Sequence, residues 1–119
     1  MINVSDLEFN KNEDTNKLLV SKLNRELDKV HLGGGEKKIA KHKSKGKLTA
    51  RERIAFLLDK NKKQIEIGAF VGNGMYEEYG GCPSGGVVIV IGYIKGVQCI
   101  VVANDATVKA GAWFPITAK

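Results

Sequence analysis

Four groups of residues carry side chains or spacings that could do chemistry. The densest is the stretch 36–63, where eleven Lys and Arg stand against three Asp and Glu. The whole chain carries +6, so the remainder is slightly acidic. Such a surplus can neutralise phosphates, and nucleic acid is the first anion to consider. The stretch holds one aromatic residue, Phe56, on the apolar side of a helical pattern. Base stacking is therefore not indicated. Most charge runs are solvated helix surface, and that reading suits this one. Within it, Lys47, Arg51 and Arg53 are the residues to watch for contact with a phosphate or a partner.

The second group is Gly33-Gly34-Gly35. Glycine runs can cradle phosphates, but this one lacks phosphate-loop spacing and follows no strand. Ending a helix is the simpler role, because glycine accepts the left-handed conformation found there. The third group is the isolated thiols and imidazoles. Cys82 and Cys99 have no spacing partner, and His31 and His42 stand apart, so no metal site and no general base is assigned. Cys99 reads as a buried small hydrophobe and His42 as a hydrogen-bonding partner inside a basic helix. The fourth group is Asn104, Asp105, Thr107 and Lys109. Side-chain to backbone bonds holding a loop explain such a cluster. Trp113, Phe114 and Pro115 behind it read as core, with packing at a subunit or binding-cleft boundary as the alternative.

The elements that must position these groups follow from periodicity. Leu19, Leu23, Leu27 and Val30 fall on one helical face, which predicts a helix from about Asp14 to Leu32. A short basic helix from Glu36 to about Ser44 is expected next, stopped by Gly46. In LTARERIAFLLD, Thr49 and Glu52 have the spacing of a capping box. This predicts a helix over Ala50–Asp59 with Ile54, Leu57 and Leu58 inward and Phe56 to one side. Ile65-Glu66-Ile67 reads as a short strand and residues 72–86 as a glycine-rich loop. The runs GVVIVIGYI and VQCIVVA are two β-branched strands joined at Lys95-Gly96. Their near-continuous hydrophobicity calls for cover on both faces, more than so short a chain supplies. NDATVKAGAWFPITAK is again loop-like, with Pro115 barring a central strand.

The 119 residues, 43% hydrophobic, allow one small domain. Residues 1–12 carry no pattern and are expected to be flexible. Residues 13–63 form a helical basic region, and residues 64–119 the start of a β-rich domain. No run of about 18 apolar residues exists, so no membrane span is expected. The opening MINVSDLEFNKNEDT lacks a basic and an apolar region and is too acidic for a transit peptide, which points to the cytoplasm.

The segment GGGEKKIAKHKSKGKLTARERIAFLLD resembles the start of the carboxyltransferase (beta) subunit of biotin-dependent acyl-CoA carboxylases. The likeness continues through IEIGAF, PSGGVV and GYIKGVQCIVVANDATVKAGAWFPIT, and so covers about residues 15–119. ANDATVKAGAWFPIT is similar to the methylcrotonoyl-CoA carboxylase type, and geranoyl-CoA and other branched-chain enzymes are similar there too. The resemblance implies an α+β fold: N-terminal helices, then the first β-hairpin of a crotonase-like carboxyltransferase domain, which this chain leaves incomplete. It implies transfer of carboxyl from carboxybiotin, carried by a biotin carboxylase or biotin carrier subunit, to an acyl-CoA. It also implies self-association as a homo-oligomer and backbone amides that stabilise a thioester oxyanion. The family places those amides, and its biotin site, in motifs that match no position of this chain, so no catalytic residue is assigned. Ala118 departs from the family pattern, which continues past Lys119 into a basic helix. The expectation is an N-terminal piece that is inactive alone. In the family the loop after the first hairpin faces the cleft, which makes Lys109, Ala110 and Gly111 the candidate acyl-CoA contacts, Lys109 as a point charge for phosphate. A non-catalytic module that binds a carboxylase subunit or CoA is the alternative. A basic nucleic-acid-binding domain ranks below both.

Overall fold

The computed structural model describes residues 3–119. Its first helix, α1, spans Val4–His31 and so begins well ahead of Asp14. Of the segment 1–12, expected to be patternless and flexible, residues 4–12 form the first turns of that helix, and residues 1–2 lie outside the described residues. Asn3 supplies the reason, since its side chain accepts from the Ser5 amide and Asp6 sits in the first turn. A cap and an acidic first turn start a helix without any apolar stripe. The apolar stripe exists but is covered only at the C-terminal end: Val30 is buried, while Leu19 and Leu23 are exposed. Gly33, at φ 51°, ends the helix as expected.

The next helix, α2, runs Glu36–Lys43, and α3 runs Ala50–Leu57. Both halves of the capping box form: the Thr49 hydroxyl accepts from the Glu52 amide, and the Glu52 carboxylate accepts from the Thr49 amide at 2.9 Å. The α3 helix stops two residues early because Leu58 turns to extended backbone, ψ 150°. That turn carries Leu58 inward beside Ile54 and leaves Leu57 49% exposed, so the inward stripe is Ile54 and Leu58 without Leu57.

Three strands form one antiparallel sheet in the order β1 (Ile65–Ile67), β2 (Val87–Ile94) and β3 (Val97–Asn104). Lys95 and Gly96 both take positive φ, 49° and 80°, as a two-residue hairpin turn demands. Asp59 closes this turn from outside, accepting the Lys95 and Gly96 amides at 2.8 and 2.7 Å. The register pairs Val88 with Ala103 and Val90 with Val101. These residues face α3 and make a core with Ala50, Ile54 and Leu58. Gly92 belongs to the same face, where a Cβ would lie 2.7 Å from a Leu58 methyl.

The opposite face carries Ile65 and Ile67 against Ile91 and Ile89, and Ile100 and Val102 across from the same two. Ile100 is 68% and Val102 61% exposed. Among the described residues nothing packs over them. The expected demand for a second covering layer is therefore real. A smaller cluster of Cys82, Val108 and Phe114, joined by Tyr76 and Ile116, sits beneath the loop that leaves β3. Of Trp113, Phe114 and Pro115, expected as core, only Phe114 is buried; Pro115 is exposed, and Trp113 lies outside with its indole N–H on Asn104 Oδ1. Cys99 is half-buried rather than buried, because it faces the α3 side opposite Gly92 where no side chain covers it fully. No helix among the described residues is long and apolar enough to cross a membrane.

Candidate functional site

The loop that leaves β3 is built by hydrogen bonds before any ligand is considered. Asp105 is 6% and Thr107 4% exposed. Asp105 donates its amide to Gly86 O at 3.0 Å. Its Oδ1 accepts from the Thr107 amide at 2.9 Å and from the Thr107 hydroxyl at 2.6 Å. The Thr107 hydroxyl oxygen in turn accepts from the Gly34 amide at 2.9 Å. The polar residues thus hold the loop, as the sequence suggests. The glycine run gains a second role: a Cβ on Gly34 would sit 1.9 Å from Thr107 O, and one on Gly33 2.5 Å from Asp105 Oδ2. Only glycine permits the end of α1 to lie on this turn. The Gly34 amide is directed at Thr107, not at a phosphate.

Lys109, Ala110 and Gly111 follow with φ of 45°, 55° and 84°. Three left-handed residues in succession, two of them not glycine, make a strained turn. The Lys109 ammonium lies 4.2 Å from the centre of the Phe114 ring and 6.0 Å from that of Tyr79. Tyr76 stacks on Phe114 with ring centres 4.5 Å apart. The cation therefore rests on an aromatic floor and stays open to solvent on its other side. Cys82 lies in the same cluster, where burial pushes its thiol pKa up and the nearby Lys109 charge opposes the rise.

The three basic candidates separate in space. Lys47 and Arg53 are exposed and line one groove with His42, Leu48, Asn104 and Ala106, at the root of the same loop. His42 keeps Leu48 in place through a 3.0 Å contact between its Nε2 and Leu48 O. Arg51 lies apart from that groove. Its guanidinium donates to both carboxylate oxygens of Glu66, at 2.7 and 3.1 Å, and to Ser84 Oγ at 3.0 Å. Ser84 passes the connection on to Ala69 O at 3.2 Å. His31 Nε2 is 3.5 Å from Glu66 as well. Arg51 is thus a clamp between α3, β1 and the 83–86 turn. Sequence reading missed Glu66 and Ser84; the alternation in Ile65-Glu66-Ile67 was the available signal, since it puts Glu66 on the α3 side of β1. Glu52 is held to a pKa of about 2, first by its hydrogen bond from Lys43 and then by the Thr49 amide. Among the described residues no group of three or more His, Cys, Asp or Glu is placed to hold a metal ion.

Comparison with known proteins gives this geometry a family. Residues 41–119, from α2 to the end of the loop, match the carboxyl transferase domain. The chain belongs to that family. It is 46% identical over 112 residues to the probable mitochondrial methylcrotonoyl-CoA carboxylase beta chain of Drosophila melanogaster, a match covering 94% of this chain and 19% of that one. Among solved structures, the geranyl-CoA carboxylase beta subunit of P. aeruginosa superposes with a TM-score of 0.76 at 30% identity, over 92% of this chain and 20% of that one. The hexameric transcarboxylase 12S, solved with methylmalonyl-coenzyme A bound, gives 0.70 at 35% identity, over 81% and 19%. The chain spans about a fifth of the length of the curated relatives it matches. The expected carboxyltransferase architecture is borne out: N-terminal helices lead into the first hairpin, which β1 extends to three strands.

Proposed function

We propose that this chain is the N-terminal part of an acyl-CoA carboxylase carboxyltransferase subunit. That subunit moves carboxyl from carboxybiotin, delivered by a biotin carboxylase or biotin carrier partner, to an acyl-CoA of the methylcrotonoyl type. The observation that carries the reading is the 46% identity to a methylcrotonoyl-CoA carboxylase beta chain across nearly the whole chain. The branched acyl group is the finer part of the proposal and would place the reaction in leucine degradation. A homo-oligomer is part of the same reading, supported by the hexameric assembly of transcarboxylase 12S. Carboxybiotin is a substrate of that subunit, and no step on it is assigned to the residues of this chain. A cytoplasmic setting is also proposed, supported by two free thiols, Cys82 and Cys99, that fit a reducing compartment.

Two features support the loop as the acyl-CoA contact. Lys109 offers an exposed ammonium above an aromatic floor, and Ala110 and Gly111 hold a left-handed turn that loops adopt at binding sites. Lys47 and Arg53 line the groove at the root of that loop and offer further charge for the coenzyme A phosphates. Arg51 is left to its structural clamp. No residue of the chain carries a catalytic assignment, and carboxylation by these 119 residues alone is not expected. The test is a carboxylation assay on the native protein purified from its source cells, with methylcrotonoyl-CoA, ATP, bicarbonate and the biotin-carrying partner. No product would refute the enzyme reading. The uncovered apolar face of the sheet favours the alternative, a module that acts by binding a carboxylase subunit, and co-purification with that partner without turnover would favour it.

A further inference from the structure

We infer that Thr107 is a positioning residue through which the N-terminal helices set the acyl-CoA contact turn. This rests on the acyl-CoA reading above and adds to it a role for α1. The chain of contacts is short, and Asp105, Thr107 and Val108 at its centre are buried. α1 ends at Gly33 and Gly34, whose backbone lies against Asp105 and Thr107 with no room for a Cβ. Gly34 donates its amide to the Thr107 hydroxyl, which donates to Asp105. The backbone then carries the constraint forward. Val108 donates its amide to Asp105 O at 3.0 Å, and Gly111 donates to Val108 O at 2.8 Å. Between those two bonds stand Lys109 and Ala110, both left-handed. Strain of that kind persists only where the surroundings over-determine the backbone. In this loop they do so by a hydroxyl that is donor and acceptor at once and by the close approach of two glycines.

The hydroxyl is the replaceable part. In Thr107→Val the shape is kept, but the half-buried Gly34 amide loses its acceptor and the buried Asp105 one of its donors. The freed groups must seek other partners, and the turn moves with them. Thr107→Ser keeps both hydrogen bonds. Lys109 contacts the coenzyme, not the reacting carbon, so displacing its turn weakens binding more than turnover.

The experiment is steady-state kinetics on the native carboxylase purified from source cells, with the substitution made in the gene and methylcrotonoyl-CoA as the varied substrate. Thr107→Val is expected to raise KM about tenfold and leave kcat within about twofold. Thr107→Ser is expected to stay within about twofold of wild-type KM, because both bonds remain. Should Thr107→Val give no folded enzyme, Gly34→Ala perturbs the same contact from the α1 side and should raise KM likewise. A wild-type KM in Thr107→Val or in Gly34→Ala overturns the inference. So does an equal loss in Thr107→Ser, which would mean a packing role only. Lys109→Ala separates the two layers. If it raises KM while Thr107→Val does not, the contact stands and the positioning role falls. If neither changes KM, or the wild-type enzyme does not carboxylate acyl-CoA, the contact reading itself falls.

Discussion

Arg51 offers the sharpest test of how this chain uses its basic residues, because its sequence suggested an anion contact and its surroundings make it a clamp. Arg51 and Glu66 are each about one-fifth exposed and meet through two parallel hydrogen bonds. A fully exposed pair is worth about 0.2–1 kcal/mol, and removing one partner of a fully buried pair costs about 3–5 kcal/mol. At one-fifth exposure, Arg51→Met should cost roughly 2–3 kcal/mol, because Glu66 then keeps only His31 at 3.5 Å. The Ser84 hydroxyl loses a donor in the same step. Arg51→Lys keeps the charge but not the fork, and a single ammonium cannot reach both carboxylate oxygens and Ser84 with the same geometry. It should recover less than half of the loss. For a chain of this size the Met variant should melt about 10 °C lower. The assay is urea unfolding followed by circular dichroism on the wild type, Arg51→Met, Glu66→Gln and the double variant. The coupling energy from that cycle should be about 1–2 kcal/mol. A coupling below about 0.3 kcal/mol, or full recovery by lysine, would refute the clamp and return Arg51 to the solvated surface.

Other outcomes follow from the same geometry. Ala110 is left-handed without being glycine, so Ala110→Gly should stabilise the chain by about 0.5–1 kcal/mol in urea unfolding, the relieved strain exceeding the added backbone entropy; a loss would mean that the methyl is needed for packing. Glu52 is lowered from 4.5 to about 2 by Lys43 and the Thr49 amide. Its contribution to stability is present above pH 4.5 and lost as pH falls toward 2, so an acid titration of Glu52→Gln should lack that part of the wild-type loss. Cys82 is buried with its pKa raised by burial, whereas Cys99 is half-buried on a strand. Iodoacetamide under native conditions, read by peptide mass, should therefore label Cys99 and spare Cys82; faster labelling of Cys82 would contradict the packing around Phe114.

Much of the fold was legible in local patterns. The Thr49–Glu52 spacing gave the capping box, and Lys95-Gly96 between two β-branched runs gave the hairpin. The polar residues at 104–107 were read as loop supports, and Asp105 and Thr107 are so placed. The start of α1 was not read, because its signal is a single cap at Asn3 and not a periodic face. Leu57 was placed inward by spacing, and the extended backbone at Leu58 changed which leucine reaches the core. The partners of Arg51 were out of reach for a similar reason: Glu66 and Ser84 are distant in sequence, and nothing local marks one carboxylate among thirteen acidic residues.

By itself the sequence determined the family, the order of helices and strands, and the demand for more cover than one sheet face receives, since each of these follows from residue types at short spacing. Tertiary structure alone decided which cations are free. It commits Arg51 to Glu66, rests Lys109 on Phe114 and leaves Lys47 and Arg53 in a groove. It also gave the glycine run its second purpose, the seat of α1 on Thr107. The physical reason is common to all of these. Caps and turns are set by neighbours within a few residues, whereas a salt bridge or a close backbone approach depends on chain segments that only folding brings together.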